Sequence, residues 1–267
     1  MVSKINHVAI ASDQYAINGR FYESLFGMKT SSKPRPARSV VIGDGYVGMN
    51  CIPRRDGRYS GLDHFGIEVD DLDETIARIS KFDSSLSALK RPPVRPFAAY
   101  SAHDPDTNIF DLSQKSIGFQ KDVYAEIDGQ ETRPRHISHI ALRTRQAERC
   151  ARFYMEVFDL KPADRPRDEN FYLCDGRMIL MIIPWKISDY YAQDPARTGL
   201  DHIGFKVESV EQLKKDMEFL IGENPHLRTR SLGYGPEGEA RLKLFQKCPL
   251  GCFHLTDIEG VHIDVAE

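Results

Sequence analysis

The sequence predicts an α+β protein built from four strand–helix–strand–strand–strand units, two to a domain in two tandem domains. Three observations carry this expectation: the chain repeats itself at long range, each copy runs through the same order of elements twice, and a polar stretch separates the copies. At 267 residues the chain is long enough to bury a real core in each half.

The repeat comes first because it fixes everything after it. Ile5-Asn-His7-Val-Ala-Ile returns as Ile137-Ser-His139-Ile-Ala-Leu, and Phe21-Tyr-Glu-Ser-Leu-Phe returns at the same offset as Phe153-Tyr-Met-Glu-Val-Phe. Asp44-Gly45 ahead of Cys51-Ile-Pro53 matches Asp175-Gly176 ahead of Ile182-Ile-Pro184. Gly61-Leu-Asp-His64-Phe-Gly matches Gly199-Leu-Asp-His202-Ile-Gly, and Asp104 to Asp111 matches Asp257 to Asp264, each at a larger offset than the last. Insertions therefore gather late in the second copy. Between the copies, Gln114 to Arg135 shows no apolar period and contains Asp128-Gly129 and Arg133-Pro134. That composition reads as a linker and divides the chain into domains 1–118 and 135–267.

Within the first copy the expected order is a strand over Ile5–Ala11, a helix over Gln14–Phe26, strands through the Asp44-Gly45 turn, a strand over Leu62–Val69, a helix over Leu72–Phe82, and closing strands. The second copy gives a strand over Ile137–Arg143, a helix over Gln146–Phe158, strands through Asp175-Gly176, a strand over Leu200–Val207, a helix over Val210–Ile221, and closing strands. Helices rest on spacing: Val210, Leu213, Met217 and Leu220 recur at three and four residues, with charge between them. Strands rest on alternation and on Asp-Gly turn chemistry. Gly43-Asp-Gly45-Tyr-Val-Gly48 fits a dinucleotide pattern, but strand rather than helix follows it, so it reads as a hairpin turn.

Composition narrows the function. An apolar fraction of 41% and a charged fraction of 28% are those of an ordinary globular protein. Thirty-six basic against 39 acidic side chains leave a net charge of -3 and no basic field for nucleic acid. The longest apolar run, Met178–Ile183, is too short to span a bilayer and the first residues lack a signal-peptide core, so no membrane role and a cytoplasmic location are expected. Five cysteines argue for reduced thiols. Cys248-Pro-Leu-Gly-Cys252 has only loosely the spacing of a zinc clip and no second pair beside it, so both read as buried or edge thiols.

Strand alternation says where the histidines point. Residues at i and i+2 share a face, so His202 and Gly204 lie opposite Ile203, Phe205 and Val207, and His64 and Gly66 lie opposite Phe65, Ile67 and Val69. The same split holds for His7 with Ala9, His139 with Ala141, Asp111 with Ile109, and Asp264 with His262. Each half thus offers two histidines and one carboxylate on the face away from the helices. A small residue two places after each histidine reads as room beside a ligand. A two-His-one-carboxylate set suits a divalent metal with up to three open positions. The plainer reading, histidines that merely find hydrogen-bond partners at strand starts, is disfavoured by two full copies of the set.

At these residues the chain resembles the vicinal-oxygen-chelate superfamily, which includes glyoxalase I, bleomycin- and fosfomycin-resistance proteins, methylmalonyl-CoA epimerase and the type I extradiol dioxygenases. The resemblance runs over nearly the whole chain through Asn6-His7-Val-Ala-Ile, Phe21-Tyr with Leu25-Phe-Gly-Met, Leu62-Asp-His64-Phe-Gly-Ile and Asp104-Pro-Asp-Thr-Asn-Ile-Phe-Asp111, with their second copies. It implies βαβββ units paired around cupped mixed sheets. Four units in one chain resemble the extradiol dioxygenases most, which implies a metal site of His139, His202 and Asp264, with His7, His64 and Asp111 as a second. Fe(II) is the metal implied, with Mn(II) or Zn(II) as alternatives. The chain departs from that family in carrying Asp264 for the usual Glu, no histidine between Ile187 and Leu200, and His254 where a Tyr is usual.

Three activities follow. The first is oxygenation of a catechol-like aromatic, with His254 or Tyr234 moving protons and Phe171, Tyr172, Tyr190, Tyr191 and Phe253 lining an aromatic pocket. The second is a redox-neutral lyase or isomerase, for which Glu68 is the candidate base. The third is a binding protein that sequesters its ligand. All take a small molecule as partner, and a homo-oligomer is left open. In the amino-terminal half, Ser101 stands where the other copy has His254, and Arg91-Pro-Pro-Val-Arg-Pro-Phe97 precedes it. Metal binding without chemistry is expected there.

Overall fold

The computed structural model describes residues 3–30, 39–92, 98–114, 134–164, 168–193 and 198–267. The linker expected over Gln114–Arg135 thus lies, from 115 to 133, outside the described residues, as do 93–97 of the proline-rich segment. The first half runs β1 (Ser3–Ser12), α1 (Tyr15–Phe26), β2 (Lys29–Thr30), β3 (Val40–Gly43), β4 (Gly48–Pro53), β5 (Gly61–Val69), α2 (Leu72–Phe82), β6 (Ala88–Lys90), β7 (Tyr100–His103) and β8 (Ile109–Gln114). The second runs β9 (His136–Thr144), α3 (Ala147–Phe158), β10 (Lys161–Pro162), β11 (Phe171–Cys174), β12 (Ile179–Pro184), β13 (Gly199–Lys206), α4 (Val210–Glu223), α5 (Gly235–Phe245), β14 (Phe253–Thr256) and β15 (His262–Ala266). No helix of the described residues is long and apolar enough to cross a membrane.

Each half makes one mixed sheet, ordered β2-β3-β4-β1-β5-β8-β7-β6 and β10-β11-β12-β9-β13-β15-β14. The α+β fold of paired units in two tandem halves is therefore as the sequence predicts. In the fourth unit α5 stands where the other three units have the first closing strand. Its sequence explains this: Pro236 follows Gly235 at the helix start, and Glu237 to Phe245 is rich in Glu, Ala, Arg, Leu and Lys, all strong helix formers.

Local chemistry sets the other boundaries. Asp71 accepts from the Glu74 amide at 2.9 Å to cap α2, and Ser209 accepts from the Gln212 amide at 3.2 Å to cap α4. α1 ends on Gly27 at φ 64, a left-handed position that a glycine takes without strain.

The two Asp-Gly turns also join the halves. Asp44 Oδ1 accepts from the amides of Tyr46 and Val47 within its own turn, while its Oδ2 accepts from the Ile137 amide in the other half at 2.8 Å. Asp175 repeats this with Arg177, Met178 and, across the halves, Ile5 at 2.8 Å. Behind the sheets the helices share one core in which unit one packs on unit four and unit two on unit three: α1 lies against α4 and α2 against α3. Phe26 stacks on Phe205 at 3.9 Å between centroids, and Phe110 meets Phe158 edge-on at 5.5 Å.

Polar residues lock the same pairs. Tyr22 donates to Asp257 at 3.0 Å and Tyr154 donates to Asp104 at 3.2 Å. Asp257 also accepts from the amides of Glu259 and Val261, yet burial outweighs these bonds and pushes its carboxyl up to about 6. A carboxyl that titrates higher in the folded chain than in the unfolded one favours folding below its unfolded value of 3.8, and that contribution disappears as pH rises through about 6. Asp257→Asn removes the titration and keeps an acceptor for the two amides. The stability of this variant relative to the parent should therefore rise between pH ~4 and ~7 by on the order of 3 kcal/mol. Thermal melts across that range check it, and a flat difference would count against the buried charge.

Candidate metal centres

Register builds both sites. In the first half His7 on β1 pairs with Gly66 on β5, which pairs with Asp111 on β8. In the second, His139 on β9 pairs with Gly204 on β13, which pairs with Asp264 on β15. His64 and His202 sit opposite Ala9 and Ala141. The small residues expected to leave room for a ligand thus make room for the histidines themselves. A Cβ at Gly204 would stand 1.9 Å from His139 Cε1, and one at Gly66 would stand 2.1 Å from His7 Cε1.

The register also slips at the residue before every one of the four histidines, at Asn6, Asp63, Ser138 and Asp201. Neighbours along a flat strand face opposite ways; a bulge turns two of them to one side. Hence each preceding residue reaches the histidine's Nδ1: Asn6 Oδ1 at 2.8 Å, Asp63 Oδ2 at 2.6 Å, Ser138 Oγ at 3.1 Å and Asp201 Oδ2 at 2.7 Å. A partner on Nδ1 fixes the ring and leaves Nε2 as the ligand atom. The sequence carried the signal, a polar residue before each histidine in all four units.

In the carboxy-terminal half, ligand atoms of His139, His202, Asp264 and also Cys248 lie within 4.8 Å of one another, and all four residues are buried. His139 Nε2 is 3.5 Å from Asp264 Oδ2, and Cys248 Sγ is 3.4 Å from His202 Nε2 and 3.1 Å from Asp264 Oδ2. The reading of Cys248 as an ordinary buried thiol missed its place in this group; Cys252, its partner in the spacing, is exposed and apart from it. Burial, then the charge of Asp264, push the Cys248 thiol up. Burial works against ionisation of Asp264, but a hydrogen bond from His254 and the positions of His139 and His202 hold it below the usual carboxylate range.

In the amino-terminal half the group is His7, His64 and Asp111. His64 Nε2 is 3.3 Å from Asp111 Oδ2, and Ser101 donates to the other oxygen of Asp111. Burial opposes the charged form of His64, but the bonds to Asp111 and Asp63 outweigh it and raise the ring to about 9. His7 is lowered to about 3 by burial and by His64. Two imidazoles and a carboxylate with converging ligand atoms fit a divalent cation in either half, and the second half adds a thiol.

The remaining candidates sort by position. His254 pairs with Asp264 in the register and brings Nε2 to 3.1 Å from Asp264 Oδ1, while its ring packs on Phe245. It holds the carboxylate. Tyr234 is 92% exposed, between two glycines of positive φ, and lines neither cleft described below. Glu68 lies on β5 in the first half, outside the donor group there.

A cleft of about 390 Å³ reaches His202 and Cys248. Its walls carry Arg143, Lys186 and Lys247 alongside Asp168, Glu169 and Asp189, and among the described residues that line it Phe245 is the one Phe, Tyr or Trp. Among the described residues, Phe171, Tyr172, Tyr190, Tyr191 and Phe253 are not in the lining of this cleft. Tyr172 is buried with Ala141, Met181 and Cys248, while Phe171 and Phe253 pack on the main core. Tyr190 and Tyr191 line a separate cleft of about 1000 Å³ between the halves, which also reaches Asp63 and Asp201.

Paired mixed sheets, each with two histidines and an aspartate on its helix-free face, define a two-domain protein of the metal-chelating kind. The chain belongs to the Glyoxalase/Bleomycin resistance protein/Dioxygenase superfamily, whose model matches residues 4–112 and 136–223. No curated protein matches it. Among solved structures it is similar to the Mn(II)-bound glyoxalase from Novosphingobium aromaticivorans, at 15% identity and a TM-score of 0.65 over 99% of this chain and 81% of that one. It is also similar to the 2,3-dioxygenase LapB from Pseudomonas sp. KL28, at 13% identity and a TM-score of 0.62 over 98% and 91%. A third is 2,2',3-trihydroxybiphenyl 1,2-dioxygenase from Sphingomonas wittichii strain RW1, at 13% identity and a TM-score of 0.61 over 99% and 90%. At such identities the likeness is one of fold.

Proposed function

We propose that the chain is a metal-dependent enzyme whose carboxy-terminal centre, His139, His202 and Asp264, takes a small polar molecule through two neighbouring oxygens. The observation that carries this reading is the cleft that opens onto a buried donor group between cationic and anionic walls. When bound, a divalent ion supplies charge stabilisation at the substrate oxygens. The protein's own part is to orient the ligands through Asp201, Ser138 and His254 and to offer Arg143, Lys186 and Lys247 to an anionic or polar substrate. Asp168, Glu169 and Asp189 are the cleft carboxylates from which a proton-abstracting base comes.

Of the finer readings, a redox-neutral lyase or isomerase suits this polar cleft better than ring cleavage of a catechol, which calls for aromatic walls. The test is proton exchange. Protein loaded with Zn(II), Co(II) or Mn(II) under strict anaerobiosis should catalyse solvent deuterium exchange into a panel of 2-hydroxy ketones, 2-oxoaldehyde hemithioacetals and 2-substituted acids. Iron-loaded protein with catechols in air should take up no oxygen. Oxygen uptake with any catechol, and no exchange across the panel, would overturn the redox-neutral reading in favour of extradiol cleavage.

A further inference from the structure

We infer that Cys248 is a fourth protein ligand of the carboxy-terminal centre, so that this centre holds its ion through two imidazoles, a carboxylate and a thiolate. The inference rests on the metal-centre reading above and deepens it. Cys248 Sγ stands 3.4 Å from the ligand nitrogen of His202 and 3.1 Å from the ligand oxygen of Asp264. The four ligand atoms all lie within 4.8 Å of one another, close enough for one ion to be shared among them.

The turn that delivers the thiol is moulded onto the site. The Cys248 amide donates to Phe245 O at 2.9 Å, which closes α5 directly ahead of it, and the Cys252 amide donates to Val265 O at 2.8 Å, which ties the far end to the strand of Asp264. Between them Gly251 lies so close over Asp264 that a Cβ would stand 2.1 Å from Oδ1. The turn and the carboxylate are built as one piece. Among the described residues of the first half there is no equivalent: the donor group there is His7, His64 and Asp111, and the closing strand β6 stands in place of α5. The two halves therefore differ in kind: a nitrogen–oxygen site in the first, a thiolate-bearing site in the second.

Ligation exchanges the S–H bond for an S–metal bond, and the proton leaves to solvent; no electron changes hands. A thiolate shifts the preference of the centre toward Zn(II) or Co(II) and away from the Fe(II) that the histidine–aspartate set alone implies. It also changes the count of open positions. A six-coordinate ion with four protein ligands keeps two, enough for two neighbouring oxygens of one substrate and none for dioxygen beside them.

The test uses the full chain, stripped by chelation and titrated with Co(II) without oxygen in a His64→Ala background that silences the first half. The expected result is a near-ultraviolet thiolate-to-cobalt charge-transfer band that saturates with bound cobalt. The band should disappear in Cys248→Ser and persist in a Cys174→Ser, Cys252→Ser double variant, which assigns it even where Cys248→Ser retains no cobalt. Cobalt bound without the band, or a band that survives in Cys248→Ser, would overturn ligation by Cys248 and leave the metal centre standing. No bound cobalt in either the background or the parent chain would overturn the centre as well.

Discussion

His202→Ala should weaken metal binding at the carboxy-terminal centre by more than ~100-fold and abolish turnover, whereas His64→Ala should remove at most one metal per chain and leave most of the activity. The asymmetry comes from what each histidine serves. His202 is buried at the cleft wall as one of the proposed ligands, held by Asp201, and its loss removes a donor nitrogen that stands 3.4 Å from Cys248 Sγ. Changes to groups that merely orient a metal ligand cost about 10–100-fold in affinity, so losing the ligand itself should cost more than ~100-fold. The fold should survive, because Asp201 keeps its two arginines, Arg143 at 3.0 Å and Arg241 at 2.9 Å. His64 serves a group with no thiol and with Ser101 in place of His254 beside its carboxylate. Metal analysis and the proton-exchange assay, run on both variants with circular dichroism as a control, check this. Equal loss of activity in the two would mean two working centres, or one function shared between the halves.

How much of this was legible in the sequence depends on whether the repeat carried it. His7, His64, Asp111 and their second copies could be placed on one face because a strand alternates with a fixed period and the pattern occurred twice. The helix over Leu72–Phe82 matches the structure at both ends, since Asp71 supplies a cap and the apolar spacing is regular. Cys248 is buried as expected, but its place beside the histidines could not be read, because α5, which precedes it, replaces a strand of the other units and has no copy to compare. The four bulges were invisible to alternation, which assumes a flat strand; they shift Asn6, Asp63, Ser138 and Asp201 onto the face of the histidines they support. The aromatic lining failed for a related reason. Tyr190 and Tyr191 leave the strand system through the turn at Ile187–Asp189, and where such a turn points is set by tertiary contacts and not by period.

Arg143→Met should destabilise the protein severely and weaken metal binding at the second centre together. Asp201 is buried, and burial alone would keep its carboxyl neutral; the charges of Arg241 and Arg143 and its bond to His202 instead hold it well below the usual carboxylate range. Arg143 is itself buried on β9, donating to Asp201 at 3.0 Å and reaching Asp189 at 3.4 Å. Removing one partner of a buried pair leaves an uncompensated charge at a cost of about 3–5 kcal/mol, and the surviving Arg241 places this case near the lower figure. For a chain of this size about 3 kcal/mol lowers the melting temperature by roughly 6–12 °C. Methionine fills much of the arginine stem's volume, so the loss reports on charge rather than on a cavity. As Asp201 also fixes the Nδ1 side of His202, metal affinity should fall about 10–100-fold in the same variant. Arg20→Met, which breaks only an exposed pair with Glu23 on one face of α1, should change neither quantity measurably. A melting temperature in Arg143→Met within 2–3 °C of the parent, roughly the shift of 1 kcal/mol, would show that Asp201 is neutral in the folded protein and that His202 is oriented by something other than a carboxylate.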